Sequence, residues 1–587
     1  MNLGEIPATR YKYLLAAAAL ALYAAAFNLV YTGIYTDDAR HILAAQSLLH
    51  GRYANVFLPH PTPIHNLLPG YPLAIAPFLL LGGITGVKLL SLAAAASTVL
   101  LLPALLPACF AAALIYAFHP MTVNLSGTAM TEPLFILWTV AAFLLLRRNR
   151  WQLTPWLLAF CVFASWIRPE GFLFLLAIAP FCAKKMDIKA RLGYATAALL
   201  LFALPYARNM LVSGTPAGYF GELAVGQTTA DTLLKLGAGF KSNLFFYLQL
   251  TPGTVFVNPF EKPPAALAWL VMLFFWTALA RGISAAMRSG EEGRAARAVY
   301  VFLMLGMHLF WVNRDPRYIY PLLPFIPEFF FDGLRPFERL KKYALLAASA
   351  LVIYGGAKTA ALALLAPAKA PSDMFEWIKR SVRPDEYVAT LSIESLYLHT
   401  GRKGYPVSKQ ENPDVWYAGA VSNRVSYIIL EGDRKPIQRV PEKSAAYDSA
   451  LARQEKFLSD KTRFQPVFIN PAEKAGVFRV TPPKGFERAF SAMQYAVQLS
   501  AAGQGAEALK ILHTLEKEKA PLKRLDFTLG TALLLAGDCR AALPYLERAA
   551  AAEPAFAAAA RNLELAKKTA GSKPAPPRKM PHSPAGR

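Results

Sequence analysis

Two adjacent carboxylates, Asp37 and Asp38, stand near the start of the stretch YTDDARHILAAQSLLHGRY (35–53), just past a hydrophobic run that ends near Tyr31. An acidic pair is costly inside hydrocarbon and ordinary in water, so its place at the end of an expected membrane span makes it a candidate for proton-transfer chemistry on a lipid-borne substrate. The bland alternative is helix capping: Asp at an N-cap or in a first turn bonds free backbone N–H groups and meets the positive helix end. Adjacent helical residues point about 100° apart, so the two carboxylates are not expected to share one task.

A second class of candidate is cationic. Arg168, Arg208, Arg314 and Arg317 fall near expected outer ends of spans, and the planar, permanently charged guanidinium suits a phosphate. The alternative is snorkelling or pairing, Arg314 or Arg317 with Asp315 and Arg168 with Glu170. Glu132, in MTEPLF (130–135), could orient an acceptor, bind a metal or cap its helix. His60 and His65 share a loop with the acidic pair and with it could hold a divalent ion, yet the spacing does not single out a metal site. No cofactor is therefore assigned, a divalent metal ion stays open, and metal ligands stay unnamed.

The elements that must position these residues follow from composition. The chain has 587 residues, 55% of them hydrophobic, and a mean hydropathy of +0.31, far above a soluble average. The net charge of +24 does not argue for nucleic acid, because many Lys and Arg residues punctuate apolar runs instead of gathering on a soluble face. Cys109, Cys161 and Cys182 lie in apolar runs and Cys539 near the C-terminus, which gives neither a disulfide framework nor a zinc spacing. The expectation is a mainly α, polytopic α-helical membrane protein of about eleven spans. These are placed near 13–33, 85–106, 107–120, 130–147, 152–168, 171–183, 192–212, 264–280, 298–313, 317–331 and 343–366, the first being an uncleaved helix.

With the N-terminus inside, four inner connections are basic, carrying Arg147 to Arg150, Lys184 to Arg191, Arg281 to Arg297 and Arg335 to Lys342. The segments 35–70 and 213–263 and everything after about 367 are then outside, consistent with a bacterial cytoplasmic membrane. The second outer loop, with Gly214, Gly218, Gly221, Gly226, Gly237 and Gly239, reads as a partly mobile surface wrap. In the first, Thr36 or Asp37 is expected to cap an interfacial helix running to about His50. Ile42, Leu43, Leu48 and Leu49 form its apolar side, and Arg40, His41 and Gln46 are among its polar residues. Leu73 to Leu81 reads as a further surface helix.

Four regions result: a transmembrane region 1–366, a small outer α/β domain 367–484, a repeat region 485–568 and a disordered basic tail 569–587. The α/β domain shows a helix at 373–380 and strands near 388–393, 425–432 and 466–470, and is read as a buttress for the membrane part. In the repeat region Leu529, Gly530, Leu533, Gly537, Ala542, Leu546, Ala549 and Pro554 match a tetratricopeptide pattern. Tyr495, Ala496, Leu499, Gly503, Ala508, Leu512 and Leu515 match it 34 residues earlier.

Taken in order, the acidic pair after a first span, LLPGYPLAIAPF (67–78), MTEPLF (130–135), WIRPEG (166–171), RNMLVSGTP (208–216) and RYIYPLLPF (317–325) resemble the GT-C glycosyltransferases. The nearest branch is the protein mannosyltransferase and aminoarabinose transferase-like one, and the likeness spans about 10–340. It implies inverting transfer of a sugar from a polyprenyl-phosphate donor to an acceptor lipid, glycan or protein at the outer face. Asp37 stands at the family's first acidic position, as base, and Asp38 at the second. A polyprenyl phosphate is already a good leaving group, so such a reaction needs a base and no acid, unlike the carboxylate pair of glycosidases. Two other classes compete. A transporter or flippase tends to carry midplane charge and duplicated halves, which are not evident here; a scaffold recruiting a protein partner through its repeats would work with both aspartates replaced.

Overall fold

The computed structural model describes residues 8–213, 229–256, 265–311, 314–408, 410–431, 441–554 and 556–570. The tail from Lys573, the glycines at 214, 218, 221 and 226, and the residues at the end of RNMLVSGTP lie outside them. The chain is mainly helical with one small sheet. It divides into two compact units, one built from residues up to Ser372 together with Glu394–Gly401, the other from Asp373–Ile393, the residues from Arg402 to Glu431 and the described residues after Ala446.

In the first unit the helices are α1 (Ala8–Ala25), α2 (Asp37–Leu49), α3 (Gly70–Leu105), α4 (Phe110–Phe118), α5 (Pro120–Leu125), α6 (Thr131–Arg148), α7 (Pro155–Ile167), α8 (Gly171–Ala183), α9 (Ile188–Ser213), α10 (Thr229–Phe256), α11 (Ala265–Arg288), α12 (Glu292–Phe310), α13 (Ile326–Gly333) and α14 (Glu338–Leu365). Two short 3-10 turns, Pro316–Tyr318 and Tyr320–Leu322, precede α13. Among the described residues four helices are long and apolar enough to cross a membrane: Gly70–Leu105, Ile188–Val212, Trp269–Arg288 and Glu338–Leu365. Together with the shorter apolar helices Tyr11–Ala25, Pro155–Ile167 and Gly171–Ala183 they make this an integral membrane protein.

Two of the expected apolar runs are broken by prolines. The apolar run 107–120 breaks into α4 and α5 at Pro120, and 317–331 becomes the two 3-10 turns and α13, with Pro316, Pro321 and Pro327 at their starts. Proline lacks an N–H and fixes φ, so it starts a helix more readily than it continues one. Leu73–Leu81 is helical, as expected: it lies in the first of two helical stretches that make up α3, joined across a kink at Gly83, where φ is 59° and ψ is −150°. The outer loop expected over 213–263 is also corrected: residues 229–256 form a 28-residue helix that carries Gly237 and Gly239 within it. Its side of the core includes Tyr247 and Val255, and Asn243 donates from Nδ2 to the Trp311 carbonyl at 2.6 Å.

Close helix contact in this unit uses small residues. A Cβ on Gly282 would overlap the Phe329 carbonyl, and one on Gly333 would overlap that of Ala278, so α11 and α13 meet backbone to backbone. Two ion pairs join α12 to α13, the buried Arg297 with both oxygens of Glu328 (2.8 and 2.6 Å) and the partly buried Arg294 with Asp332.

The second unit holds a five-stranded sheet of order β2-β1-β3-β5-β4, made by β1 (Tyr387–Thr390), β2 (Gly404–Pro406), β3 (Val425–Leu430), β4 (Phe464–Asn470) and β5 (Ala475–Val480). β1 runs parallel to both β2 and β3, whereas β5 is antiparallel to β3 and β4. Two of these strands were not anticipated. Gly404–Pro406 is only three residues and contains a proline that only an edge strand accommodates. After the helices α15 (Ser372–Ser381), α16 (Ile393–Thr400), α17 (Pro413–Ser422) and α18 (Pro441–Leu458) come α19 (Phe486–Ala501), α20 (Gly505–Lys517), α21 (Leu525–Leu535), α22 (Cys539–Ala552) and α23 (Ala557–Ala570). Gly503 and Gly537, both at positive φ, end α19 and α21 in the way left-handed C-caps do. The sheet and helices α19 to α21 share one core, in which Trp416, Phe464 and Phe486 lie with Met493, Leu512 and Leu529. The buried Asp414 carboxylate ties them, accepting from Arg463 at 2.7 Å and from the backbone N–H of Lys523 and Arg524 at 2.9 and 2.8 Å.

Candidate active site

Helix α2 packs against the body of the first unit. Its residues Asp38, Ala39, His41, Ile42, Leu43, Ala44, Ala45 and Ser47 are buried, and it packs along α3, so the His41 ring meets Tyr71 edge-on at 4.9 Å. The long apolar residue at its end, Leu49, is exposed instead. Nor is it capped as expected: Thr36 has φ 62° and makes no side-chain bond to the helix start. This turn is unusual for a β-branched residue.

The acidic pair splits into two environments, as the 100° separation anticipates. Asp38 is 1% exposed and accepts from the backbone N–H of Gly33 at 2.7 Å and of Ala39 at 2.9 Å. Burial raises its pKa most, the two N–H donors oppose this, and the Asp37 charge adds to the rise, giving a value of about 6. Asp37 is 40% exposed at the side chain and receives Nη2 of Arg317 at 2.8 Å, from a residue 280 positions later. Burial pushes the Asp37 pKa up, but the charge and hydrogen bond of Arg317, with Arg40 close by, more than reverse it, so this carboxyl lies below its ordinary range. Asp37 is thus the ionised, accessible carboxylate and Asp38 the enclosed one.

Arg317 is fixed in turn by its 3-10 turn. Asp315 caps that turn, accepting from the Arg317 N–H at 3.1 Å, and its other oxygen lies 3.5 Å from Arg317 Nε. Tyr35, just before the pair, accepts at its hydroxyl from Asn124 Nδ2 at 2.7 Å. Burial raises the Tyr35 pKa, which keeps the phenol protonated. Neither Tyr35 nor Asn124 stood out in the residues as part of this surrounding, Asn124 lying on the six-residue α5, whereas Asp315 was a named pairing option for Arg317.

The other candidates are distributed differently. Arg168 is 8% exposed and held by Glu132 Oε1 at 2.8 Å, Glu170 Oε1 at 2.9 Å and Thr131 Oγ1 at 2.9 Å. Glu132, itself 1% exposed, therefore serves Arg168 and is not presented to an acceptor. Arg208 donates to the carbonyls of Ile64 and Tyr53 and stacks over the Tyr53 ring at 5.0 Å, while Asn209 Nδ2 donates to the His65 carbonyl at 2.9 Å. These two residues pin the proline-rich loop that follows α2. Arg314 lies over Phe246 at 5.8 Å and lines an open cavity of about 490 Å³ with Lys241, Ser242, Phe245, Phe246 and Gln249. Among the described residues no group of three or more His, Cys, Asp or Glu is placed to hold a metal ion, so His60 and His65 form no such set with the acidic pair.

No family model and no curated protein matches this chain. Among solved structures, the chain is similar to the apo oligosaccharyltransferase of Archaeoglobus fulgidus, with a TM-score of 0.47 and 13% identity over 81% of this chain and 74% of that one. It is similar to ArnT from Cupriavidus metallidurans. The apo state of that protein gives a TM-score of 0.46 and 12% identity, over 81% of this chain and 100% of that one. Its undecaprenyl phosphate-bound state gives 0.46 and 11% over the same shares. Likeness at this distance does not by itself assign an activity.

The two carboxyls differ in a way that pH exposes. Folding raises the Asp38 pKa from 3.8 toward about 6, so its contribution to stability is full below about 4 and is lost as pH rises through about 6. His41, kept neutral by burial down to about 3, acts oppositely: its contribution is present above its ordinary 6.5 and is lost as pH falls. Asp37, with its lowered value, stays ionised throughout that range. Asp38→Asn, which cannot ionise, should therefore make thermal stability in detergent rise more steeply with pH than in the parent, between about pH 4 and about pH 6. Parallel pH profiles for the two proteins would show that Asp38 does not titrate there.

Proposed function

We propose that this chain is an integral-membrane glycosyltransferase that moves a sugar from a polyprenyl-phosphate donor to an acceptor hydroxyl at the outer face of the membrane, with inversion. The observation that carries the reading is the Asp37–Arg317 pair: an accessible carboxylate and a guanidinium from distant parts of the chain meet at 2.8 Å beside an expected span end. A base and a phosphate-neutralising cation are the two groups such a transfer requires.

In this reading the acceptor hydroxyl attacks the anomeric carbon from the face opposite the phosphate. The new C–O bond forms as the C–O bond to phosphate breaks, its electron pair leaving with the polyprenyl phosphate. The hydroxyl proton passes to Asp37. A carboxylate of lowered pKa is a weak base toward a free alcohol, but the proton becomes strongly acidic as the new bond forms, so its transfer is favourable late in the step. Arg317 stands where it can turn a guanidinium N–H toward the leaving phosphate while holding Asp37 ionised. Arg314 and Lys241, on the wall of the open cavity, are cations suited to the same phosphate or its lipid neighbours. Asp38 serves as a positioning group, and Arg168 and Arg208 as structural cations, so of the four arginines considered only Arg314 and Arg317 remain donor-phosphate candidates.

The test is chemical. Purified protein in detergent, offered a panel of undecaprenyl-phosphate-linked sugars and acceptor fractions, should release undecaprenyl phosphate from one donor and yield a product of inverted anomeric configuration. If no donor in the panel is consumed by folded protein, the reading fails. The orientation rests on the basic connections alone, and a cysteine replacing the exposed Ser289 should be shielded from an impermeant thiol reagent in intact cells.

A further inference from the structure

Helix α16 follows β1 and is more than three hundred residues from the acidic pair, yet from Glu394 onward it packs on the segment that delivers that pair. Arg40 Nε lies 3.5 Å from Glu394 Oε1. His399 Nε2 donates to the Thr32 carbonyl at 2.7 Å, and its ring lies 6.1 Å from that of Tyr31. Gly33, at φ 106°, approaches Ser395 so closely that an added Cβ would overlap the hydroxyl. The N–H of the same Gly33 is the donor bound by Asp38.

The turn 31–36 is thus gripped from two sides, by the Asp38 carboxylate and by α16. It ends at Thr36, held at φ 62° immediately before Asp37. A threonine persists in that conformation only where its surroundings over-determine it, and a one-residue rotation there would swing Asp37 away from Arg317. We propose that Glu394 and His399 are positioning residues that hold this turn so that the Asp37 carboxylate faces Arg317. The inference deepens the reading of Asp37 as the base and rests on it for its functional meaning. The charged or titratable groups around Asp37 are Arg317 from the 3-10 turn, and Arg40, His41 and Asp38 from its own helix; Glu394 is the group α16 sets against Arg40. The Arg40–Glu394 pair, with side chains 28% and 15% exposed and a loose 3.5 Å contact, contributes geometry more than stability.

The test needs no sugar donor. In full-length purified protein, Asp37→Cys places a thiol beside Arg317, and its iodoacetamide alkylation can be followed against pH by mass analysis of the peptide that contains position 37. With α16 intact that thiol should titrate below the ordinary value of about 8.5; adding Glu394→Ala and His399→Ala should return it toward that value and slow alkylation at neutral pH by ~3- to 10-fold. His399→Gln, which keeps an N–H donor, should retain most of the parent profile. Should the alanine pair unfold the protein, charge reversal serves: Arg40→Glu and Glu394→Arg should each shift the profile and together restore it. An unchanged profile in the folded alanine pair overturns the proposal. So does a shift of equal size from Arg380→Ala on the exposed face of α15, or from His399→Gln. Absence of sugar transfer alongside the expected thiol shifts would sink the transferase reading and leave the positioning role standing.

Discussion

Replacing Asp37 by Asn is expected to lower sugar transfer by ~10² to 10⁴, the usual range for losing a general base, with little change in folding. Asn is nearly the same size and can still accept one bond from Arg317 Nη2, so the 2.8 Å contact survives in weakened form while charge and basicity are gone. The carboxylate is 40% exposed at its side chain, which leaves room for a hydroxyl to reach it. Asp38→Asn should cost less in transfer, because Asp38 is 1% exposed and its carboxylate is bound by the backbone N–H groups of Gly33 and Ala39. The measurement is transfer by purified variants whose thermal stabilities match the parent. If Asp37→Asn retains near-normal transfer while Asp38→Asn loses it, the roles are reversed. If both remain active, the carboxylates are structural, and a scaffold acting through the C-terminal repeats becomes the better account.

Arg317→Ala should reduce transfer by ~10² to 10³, comparable to removing one donor aimed at developing negative charge. Arg317→Lys should recover only part of it, since an ammonium supplies the charge but not the planar fork that spans Asp37 and Asp315. A second signature separates this from simple loss of packing. Arg317 is what overcomes the effect of burial and holds the Asp37 pKa below 3.8. Without it that pKa rises, so the acid limb of the transfer rate should move to higher pH in Arg317→Ala. A loss of rate with an unmoved acid limb would mean that Arg317 does not govern the ionisation of Asp37.

Some of this arrangement was legible in the residues and some was not. The acidic pair drew notice because two carboxylates follow an apolar run, a local feature that any reading of the chain meets. Their division of labour followed from helical geometry, although the particular partners did not. Arg317 and Arg168 were both candidates, each an arginine near a span end with an acidic neighbour, and the likeness of RYIYP to the family favoured Arg317 only somewhat. What distinguishes them is that Arg168 is enclosed by Glu132 and Glu170 while Arg317 reaches Asp37 across 280 positions. Glycine content pointed to a loop over 229–256, yet Gly237 and Gly239 lie in a helix whose stability comes from packing of residues such as Tyr247, which outweighs the intrinsic cost of glycine.

The sequence by itself determined the helical, membrane-embedded character of the chain, the change to mixed elements after about residue 367, and the helix starts and stops set by Pro and Gly. These are consequences of hydropathy, periodicity and backbone restriction, which act over a few residues at a time. Only the tertiary structure decided which carboxylate of the pair is open, which arginine meets it, and that α16 grips the turn before it. Each of those depends on contacts between residues far apart in the chain, where burial and charge, not local pattern, select the partner.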